Sequence, residues 1–366
     1  MDDTDSYISF DSKGICDHCN TFKLKIEPFW KNDNSNINYI LNLSKKIKSE
    51  NSNKDFDCII GMSGGIDSSY LVYITKEILN LRPLVFHVDA GWNSQQAVNN
   101  IENIVDKLNL DLFTEVIDWS EMRDLQLAFF KSSVPHIDTP QDHAFFATMY
   151  KFAVKHKIKY IFTGGNYSTE CIRNPIEWMY YQSDSIQLLD IHKKFGEKSL
   201  KKFPITNILW HKVYLPYFLG IKLIRPLDYI EYKKIEAIEY LEKNLNFQKY
   251  NQKHFESRFT KFYESYWLPN KFGFDTRKVQ YSSLILTKQM KREQALKQLS
   301  DLPYDKDHIK NDLEFISNKL DIKTSKLNEY FNLPNKSYKD YKNMQLLYNI
   351  GSKAMKFLGM ERGGKR

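Results

Sequence analysis

Five short apolar runs of strand length punctuate the first two thirds of the chain, at 57–61, 84–88, 112–116, 160–163 and 222–224, and stretches with helical spacing lie between them. Such alternation from 57 to 227 predicts a doubly wound parallel α/β sheet. Helices are expected at 39–47, at 70–80 after the first strand, and at 144–156 before the fourth. Beyond the fifth strand the pattern turns helical. Residues 231–244 place Ile235, Ile238 and Leu241 on one stripe with charges between them, and 288–299, 310–320 and 325–331 read as further short helices. Stretches 31–35 and 50–55, rich in Asn, Ser and Lys, read as solvated connectors. The chain therefore divides into an N-terminal element and linker at 1–55, an α/β domain at 56–230, and a helical region at 231–366 whose tail, 359–366, is expected to fray.

Composition adds a few bounds. With 366 residues, 42% of them hydrophobic, the chain can bury a substantial core. The most apolar window, 208–224, contains His211, Lys212, Pro216 and Lys222, which disqualifies it as a membrane span. Nothing at the N-terminus resembles a signal peptide, and the cytoplasm is the expected compartment. Lys and Arg exceed Asp and Glu by 53 − 45 = 8, which favours anionic ligands in general. Four cysteines in such a chain argue against a disulfide framework.

Chemistry enters at Ser63-Gly64-Gly65-Ile66-Asp67-Ser68-Ser69, between the first strand and its helix. Free N–H groups of a first helical turn, two glycines permitting close approach, and the hydroxyls of Ser63, Ser68 and Ser69 converge there on one point suited to a phosphate. No Gly-Lys-Ser/Thr follows, so the loop is not one that grips a terminal phosphate for transfer. In a doubly wound sheet the ligand sits at the carboxyl ends of the strands. Past the second strand, backbone around Val88 can read adenine, and Asn93 or Ser94 can cap the next helix. Past the fourth, Gly164-Gly165-Asn166 forms either the other wall of the nucleotide site or a plain tight turn. The polar stretch 134–143, with Gln141, Asp142 and His143, either meets a polar substrate or caps the following helix. From His254 to Lys278, cations alternate with aromatics, and three readings stay open: a single-strand nucleic-acid surface, an anion site using Lys271, Arg277 and Lys278, or a solvated helical face. Cys16-Asp17-His18-Cys19 supplies either half of a tetrahedral zinc site or two unligated thiols.

The pattern SGGxDS resembles the PP-loop of ATP pyrophosphatases. Several longer blocks together resemble the N-acetyl sugar amidotransferases of bacterial surface-polysaccharide pathways: Ile8 to Cys19, the PP-loop, Asp89 to Ser94, Asp118-Trp119 with Met122 to Gln126, Pro140 to His143, Thr163 to Asn166, and His254 to Arg277. The resemblance implies that ATP is spent to turn the N-acetyl group of a nucleotide-activated sugar into an acetamidino group through an O-adenylyl imidate, with release of AMP and pyrophosphate. It implies ATP held by Ser63, Gly64, Gly65, Asp67, Ser68, Ser69, Val88, Gly164 and Gly165. Asp67, Lys271 and Arg277 become the catalytic candidates, with Mg2+ placed at Asp67. Asn93, Gln141, Asp142, His143, Asn166, His254, Glu256 and Ser257 become substrate contacts, and Zn2+ belongs at Cys16 and Cys19 only as an incomplete site.

Relatives of this kind carry another CxxC just before a segment like Met1 to Asp5, so a start site placed too late or a lost metal is expected here. Ammonia is expected from a separate glutaminase subunit, because no cysteine of this chain sits in a recognisable nucleophile setting; nucleic acid is not an expected partner. Two rivals remain: a PP-loop tRNA sulfurtransferase, for which Cys171 is the one sulfur-carrying candidate because Cys58 lies in a strand, and a non-catalytic nucleotide sensor.

Overall fold

The computed structural model describes residues 1–304 and 306–357; the tail expected to fray lies outside them. Five parallel strands, β1 (Cys58–Gly61), β2 (Pro83–Asp89), β3 (Asp111–Val116), β4 (Tyr160–Phe162) and β5 (Lys222–Ile224), form one sheet in the order β3-β2-β1-β4-β5. Ile59 is level with Leu84 on one side and Ile161 on the other, and Phe162 is level with Ile224.

Side chains alternate across a strand, so each strand feeds two cores. Ile59, Leu84, Phe86 and Ile161 enter one cluster together with Met122, Leu125 and Phe129 of helix Trp119–Ser132, Met149 and Ala153 of helix Thr139–Lys155, and Leu188 of helix Ser185–Phe195. Cys58, Ile60, Val85, Tyr160 and Phe162 enter the opposite cluster, with Leu71 and Val72 of helix Ile66–Tyr73, Ile101 and Ile104 of helix Gln95–Lys107, and Leu241 and Leu245 of helix Lys234–Leu245. Helices thus cover both faces of the sheet, the doubly wound arrangement that strand–helix alternation predicts. The first cluster also takes in Phe259, Trp267, Leu327 and Tyr341, so the C-terminal helices pack on the same core as the sheet. A fully buried aliphatic or aromatic side chain contributes about 1.5–3 kcal/mol, and this shared burial holds residues beyond 250 against the strand ends.

The helix after β1 begins at Ile66, directly behind Gly65, and not at residue 70 as its apolar spacing suggests. Asp67, Ser68 and Ser69 are therefore its first turn. Among the described residues no helix is long and apolar enough to cross a membrane.

Candidate active site

The strand order reverses direction between β1 and β4, and the crevice past their carboxyl ends is where a doubly wound sheet binds ligands. Both glycine pairs lie there. Gly64 has φ +81°, a conformation open to glycine at little cost, and a Cβ on it would stand 2.6 Å from the Ala97 carbonyl oxygen. Gly164 packs against the other turn itself: a Cβ there would meet the Asp67 carbonyl carbon and the Ser68 nitrogen, both at 3.0 Å. The two turns are thus in direct backbone contact, which a pair of unrelated tight turns does not require. Asn166, fully buried, fastens them by donating to the Gly164 carbonyl at 2.9 Å and to Asp67 Oδ1 at 3.4 Å, while its Oδ1 caps the next short helix at Thr169.

Two cavities open from this junction and share Ser63, Gly164 and Glu256. The first, about 210 Å3, is lined by Gly61, Met62, Phe86, Val88, Phe145, Phe146, Met149 and Phe162, with Asn93 and Ser257 at its polar side. Its size and apolar aromatic walls suit a purine ring. A Cβ on Gly61 would stand 3.2 Å from Met149 Sδ, so β1 ends in a residue that leaves this space free. The second cavity, about 220 Å3, is lined by Ser63, Gly65, Asp67, Ser68, Gly164 and Gly165 on the loop side and by Lys234, Tyr250, Lys253, His254 and Glu256 opposite.

The electrostatics of the second cavity turn on Lys253. Its ammonium is 3.1 Å from Asp67 Oδ2 and 2.5 Å from Glu170 Oε1, and Tyr232 donates to Asp67 Oδ1 at 2.5 Å. Burial alone would raise the Asp67 carboxyl, but the Lys253 charge and the Tyr232 hydroxyl hold it below its ordinary value. Burial alone would lower Lys253, and the two carboxylates push it above the usual lysine range. A second lysine, Lys234, lines the cavity with no side-chain hydrogen-bond partner among the described residues, and burial draws its pKa down. His254 sits at φ +65°, an uncommon conformation for a non-glycine residue. Its imidazole would be lowered by burial, but Glu264, 3.0 Å away, raises it to about 9. The loop therefore faces three cationic side chains.

Several expectations need correction. Lys271 gives its ammonium to the carbonyls of Phe331 and Leu333, at 2.6 and 2.7 Å, away from the cavities. Arg277 is buried, pairs with Asp275, and donates to the Gln298 and Asp301 carbonyls. Neither faces the loop, and Lys234 and Lys253 stand where a pyrophosphate would need charge. Ser69 is sealed beneath the turn with its hydroxyl unpartnered and lines neither cavity. The stretch 134–143 is not an open substrate loop. Gln141 bonds Asp138, Thr260 and Ser257, and Asp142 accepts from Gln182 at 3.0 Å. His143 donates to the Gln182 carbonyl and accepts from Thr206 N, a neutral imidazole that burial lowers to about 4. Asn93 donates to His87 and Asp89 at the purine cavity, and the helix cap there falls to Ser94.

Cys16 and Cys19 have their sulfurs 3.4 Å apart, but His18 is held by Asp5 at 2.7 Å, and among the described residues no three His, Cys, Asp or Glu side chains gather as metal ligands. The pair does not fit a closed tetrahedral zinc site. Mg2+ asks for less, one or two carboxylates beside phosphate oxygens. Glu256 fits it, since its carboxylate borders both cavities and, among the described residues, accepts only the Ser63 hydroxyl, at 3.3 Å.

Sequence reasoning missed Lys234, Lys253, Glu170 and Tyr232. Lys253 directly precedes the His254 to Arg277 block, which is the signal that pointed to it; nothing local marks the other three.

Residues 256–355 match the model of a family described as LPS biosynthesis protein WbpG-like, C-terminal domain. An uncharacterized protein of Methanocaldococcus jannaschii is 29% identical over 120 residues, 32% of this chain and 41% of that relative, so the chain spans about two fifths of the relative's length. Among solved structures, similarity is found to an NH3-dependent NAD synthetase of Campylobacter jejuni, with 18% identity, 57% of this chain and 84% of that one covered, and a TM-score of 0.29. An NMN synthetase of Francisella tularensis is similar at 17% identity, 60% and 90% coverage, and a TM-score of 0.30. The segment that brings Glu256 and Ser257 to the cavities thus opens the stretch of this chain, 256–355, that is similar to the WbpG-like C-terminal domain of LPS biosynthesis proteins.

Proposed function

We propose that this protein is an ATP-dependent amidotransferase that converts the N-acetyl group of a nucleotide-activated sugar into an acetamidino group. The observation that carries the reading is the pair of cavities joined at Ser63, Gly164 and Glu256, one apolar and of purine size, the other lined by a glycine turn and faced by Lys234, Lys253 and His254. The sugar comes from the match to an LPS biosynthesis domain and from the sequence blocks that resemble N-acetyl sugar amidotransferases.

An acetamide carbonyl is a poor electrophile whose oxygen cannot leave. In the proposed reaction that oxygen attacks the α-phosphorus of ATP, an O–P bond forms, and the bond to the β-phosphate breaks to release pyrophosphate. Ammonia then adds to the imidate carbon, AMP leaves with the former carbonyl oxygen, and a proton is lost to give the amidine. A helix N-terminus contributes only about 0.3–1 kcal/mol toward holding an anion, so Lys253 and Lys234 carry the pyrophosphate charge. Asp67, fixed by Tyr232 and Lys253, acts as the group that aims the lysine. Mg2+ held at Glu256 would supply further neutralisation of phosphate charge.

A sulfurtransferase would need a reactive cysteine beside the nucleotide. Cys171 is buried, contacts the Ser283 carbonyl, lines neither cavity, and has its thiol raised to about 12 by burial. Placement of that thiol favours the amidotransferase. The test is AMP and pyrophosphate release. Formation of both should require a nucleotide-activated N-acetyl sugar together with ammonium; release that needs tRNA and a sulfur donor, or none with any such sugar, would reject the reading.

A further inference from the structure

A third cavity, about 340 Å3, adjoins the phosphate cavity and shares Glu170, Lys253 and His254 with it. Its other walls come from Thr169, Ile172, Arg173 and Asn174, from Arg225, and from the first turns of helix Arg277–Leu286 with the preceding Thr276. The nucleotide reading does not account for it, and of the sequence blocks only His254 to Arg277 contributes, through His254, Glu264 and Thr276.

Its polar groups are conspicuous for what they lack. Arg173 is exposed and has no hydrogen-bond or ion-pair partner among the described residues. The side chains of Gln280 and Thr276 also have no hydrogen-bond partner among them. Asn174 Oδ1 is buried and receives no hydrogen bond, while its amide makes only a 3.6 Å contact to Met179 sulfur. Buried polar groups are normally satisfied, and an arginine fork is suited to phosphate oxygens. Arg225, by contrast, is committed: it holds the Gly165 carbonyl at 3.0 Å and Asp228 at 2.9 Å, and so ties this cavity to the second glycine turn. Glu264 and Glu170 also border it and engage His254 and Lys253, and Arg173 is the cation on these walls with no hydrogen-bond or ion-pair partner among the described residues.

Resting on the function proposed above, we propose that this cavity is the acceptor site. The sugar lies against Asn174, Thr276 and Gln280, and Arg173 binds a phosphate of the attached nucleotide. Thr276 and Gln280 then bond the sugar hydroxyls, and the acetamide points toward the shared wall at Lys253 and His254, where the α-phosphate of ATP arrives. Arg173 is a specificity residue in this scheme and makes no contact with the reacting atoms.

The experiment compares the wild type with Arg173→Ala, Arg173→Lys and Gln280→Ala. Arg173→Ala should raise the KM for the nucleotide sugar at least tenfold, leave the KM for ATP within twofold, and change kcat little; Lys should restore part of the loss, and Gln280→Ala should raise the same KM without altering its salt dependence. Thermal melting should not move for Arg173→Ala, since its side chain is exposed and unpaired. A binding arm without chemistry uses UDP and CMP as probes by calorimetry: the wild type should bind one of them in the presence of a saturating non-hydrolysable ATP analogue, and Arg173→Ala should lose that binding. If the wild type turns over nucleotide sugars and Arg173→Ala leaves their KM unchanged, or raises both KM values equally, the acceptor assignment is wrong while the function stands. If no sugar is turned over but UDP or CMP still binds through Arg173, the function falls and the phosphate site remains. Binding of neither probe would overturn the site.

Discussion

His254 shows how one side chain is set by partners that sequence spacing cannot reveal. Burial opposes its charge, yet the Glu264 carboxylate 3.0 Å away raises it to about 9, so the imidazolium faces the phosphate cavity throughout the neutral range. Because the folded value lies above the ordinary 6.5, its contribution to stability is complete below about pH 6.5 and disappears as pH rises through about 9. With 38% of the side chain exposed, solvent mutes that contribution, and the clearer readout is the titration itself. An NMR titration should place the midpoint well above 7 in the intact protein, and Glu264→Gln should bring it down to 6.5 or lower; a wild-type midpoint at or below 6.5 would contradict the pairing. ATP affinity should fall in parallel as pH passes 9. The same limit explains the misplaced lysine and arginine. Lys271 and Arg277 stand in an alternation of cations and aromatics that reads as an anion site, but the sequence does not say that one caps the carbonyls of Phe331 and Leu333 while the other is consumed by Asp275. Lys234 sits in an ordinary amphipathic stripe, and only the packing of its helix on the sheet turns its ammonium toward the loop.

At the level of elements, the two glycine turns act as one unit because Gly164 lies against the backbone of Asp67 and Ser68. Gly164→Ala introduces a Cβ at 3.0 Å from atoms that cannot swing away, and overpacking of this kind typically costs about 1–3 kcal/mol. Denaturant unfolding should show a loss in that range, and ATP affinity should drop at the same time, since the displaced atoms belong to the first turn of helix Ile66–Tyr73. Stability lost with ATP binding intact would show that the turns are not coupled. Strands and glycine turns were legible beforehand because their signals are local: short apolar runs ended by Gly, then a change to helical spacing. Of the two readings of 134–143, the substrate contact fails for the converse reason. Its polarity signals solvent, but Gln187, Gln182, Thr206 and Thr260, all distant in sequence or on other elements, supply partners to His136, Asp142, His143 and Gln141 and bury it. Polarity in a sequence counts hydrogen-bonding groups, and only the fold decides whether water or protein satisfies them.

At the scale of the whole molecule, the proposed reaction needs a source of nitrogen. A glutaminase reaction needs an activated thiolate with a suitable base. Cys58 lies fully buried in β1 with its thiol raised by burial and then by Asp57. Cys171 is raised to about 12 by burial, and Cys19 to about 11 by burial and by Cys16 beside it. Each shift moves the thiol away from thiolate at neutral pH, and neither nucleotide cavity is lined by any of the four cysteines. The crevice past β1 and β4, in contrast, opens toward solvent beside Lys253 and Glu170, so ammonia can reach the imidate carbon from outside the chain. We therefore expect the purified chain to form amidino product with ammonium salts, faster as rising pH increases the fraction present as NH3, until loss of the His254 charge near pH 9 turns the profile over. Glutamine alone should support no product, and adding a glutaminase partner should make glutamine effective at neutral pH. Product formed from glutamine by the isolated chain, with contaminating glutaminase excluded by mass spectrometry, would place the nucleophile in this protein after all and require one of its buried thiols to become exposed during turnover.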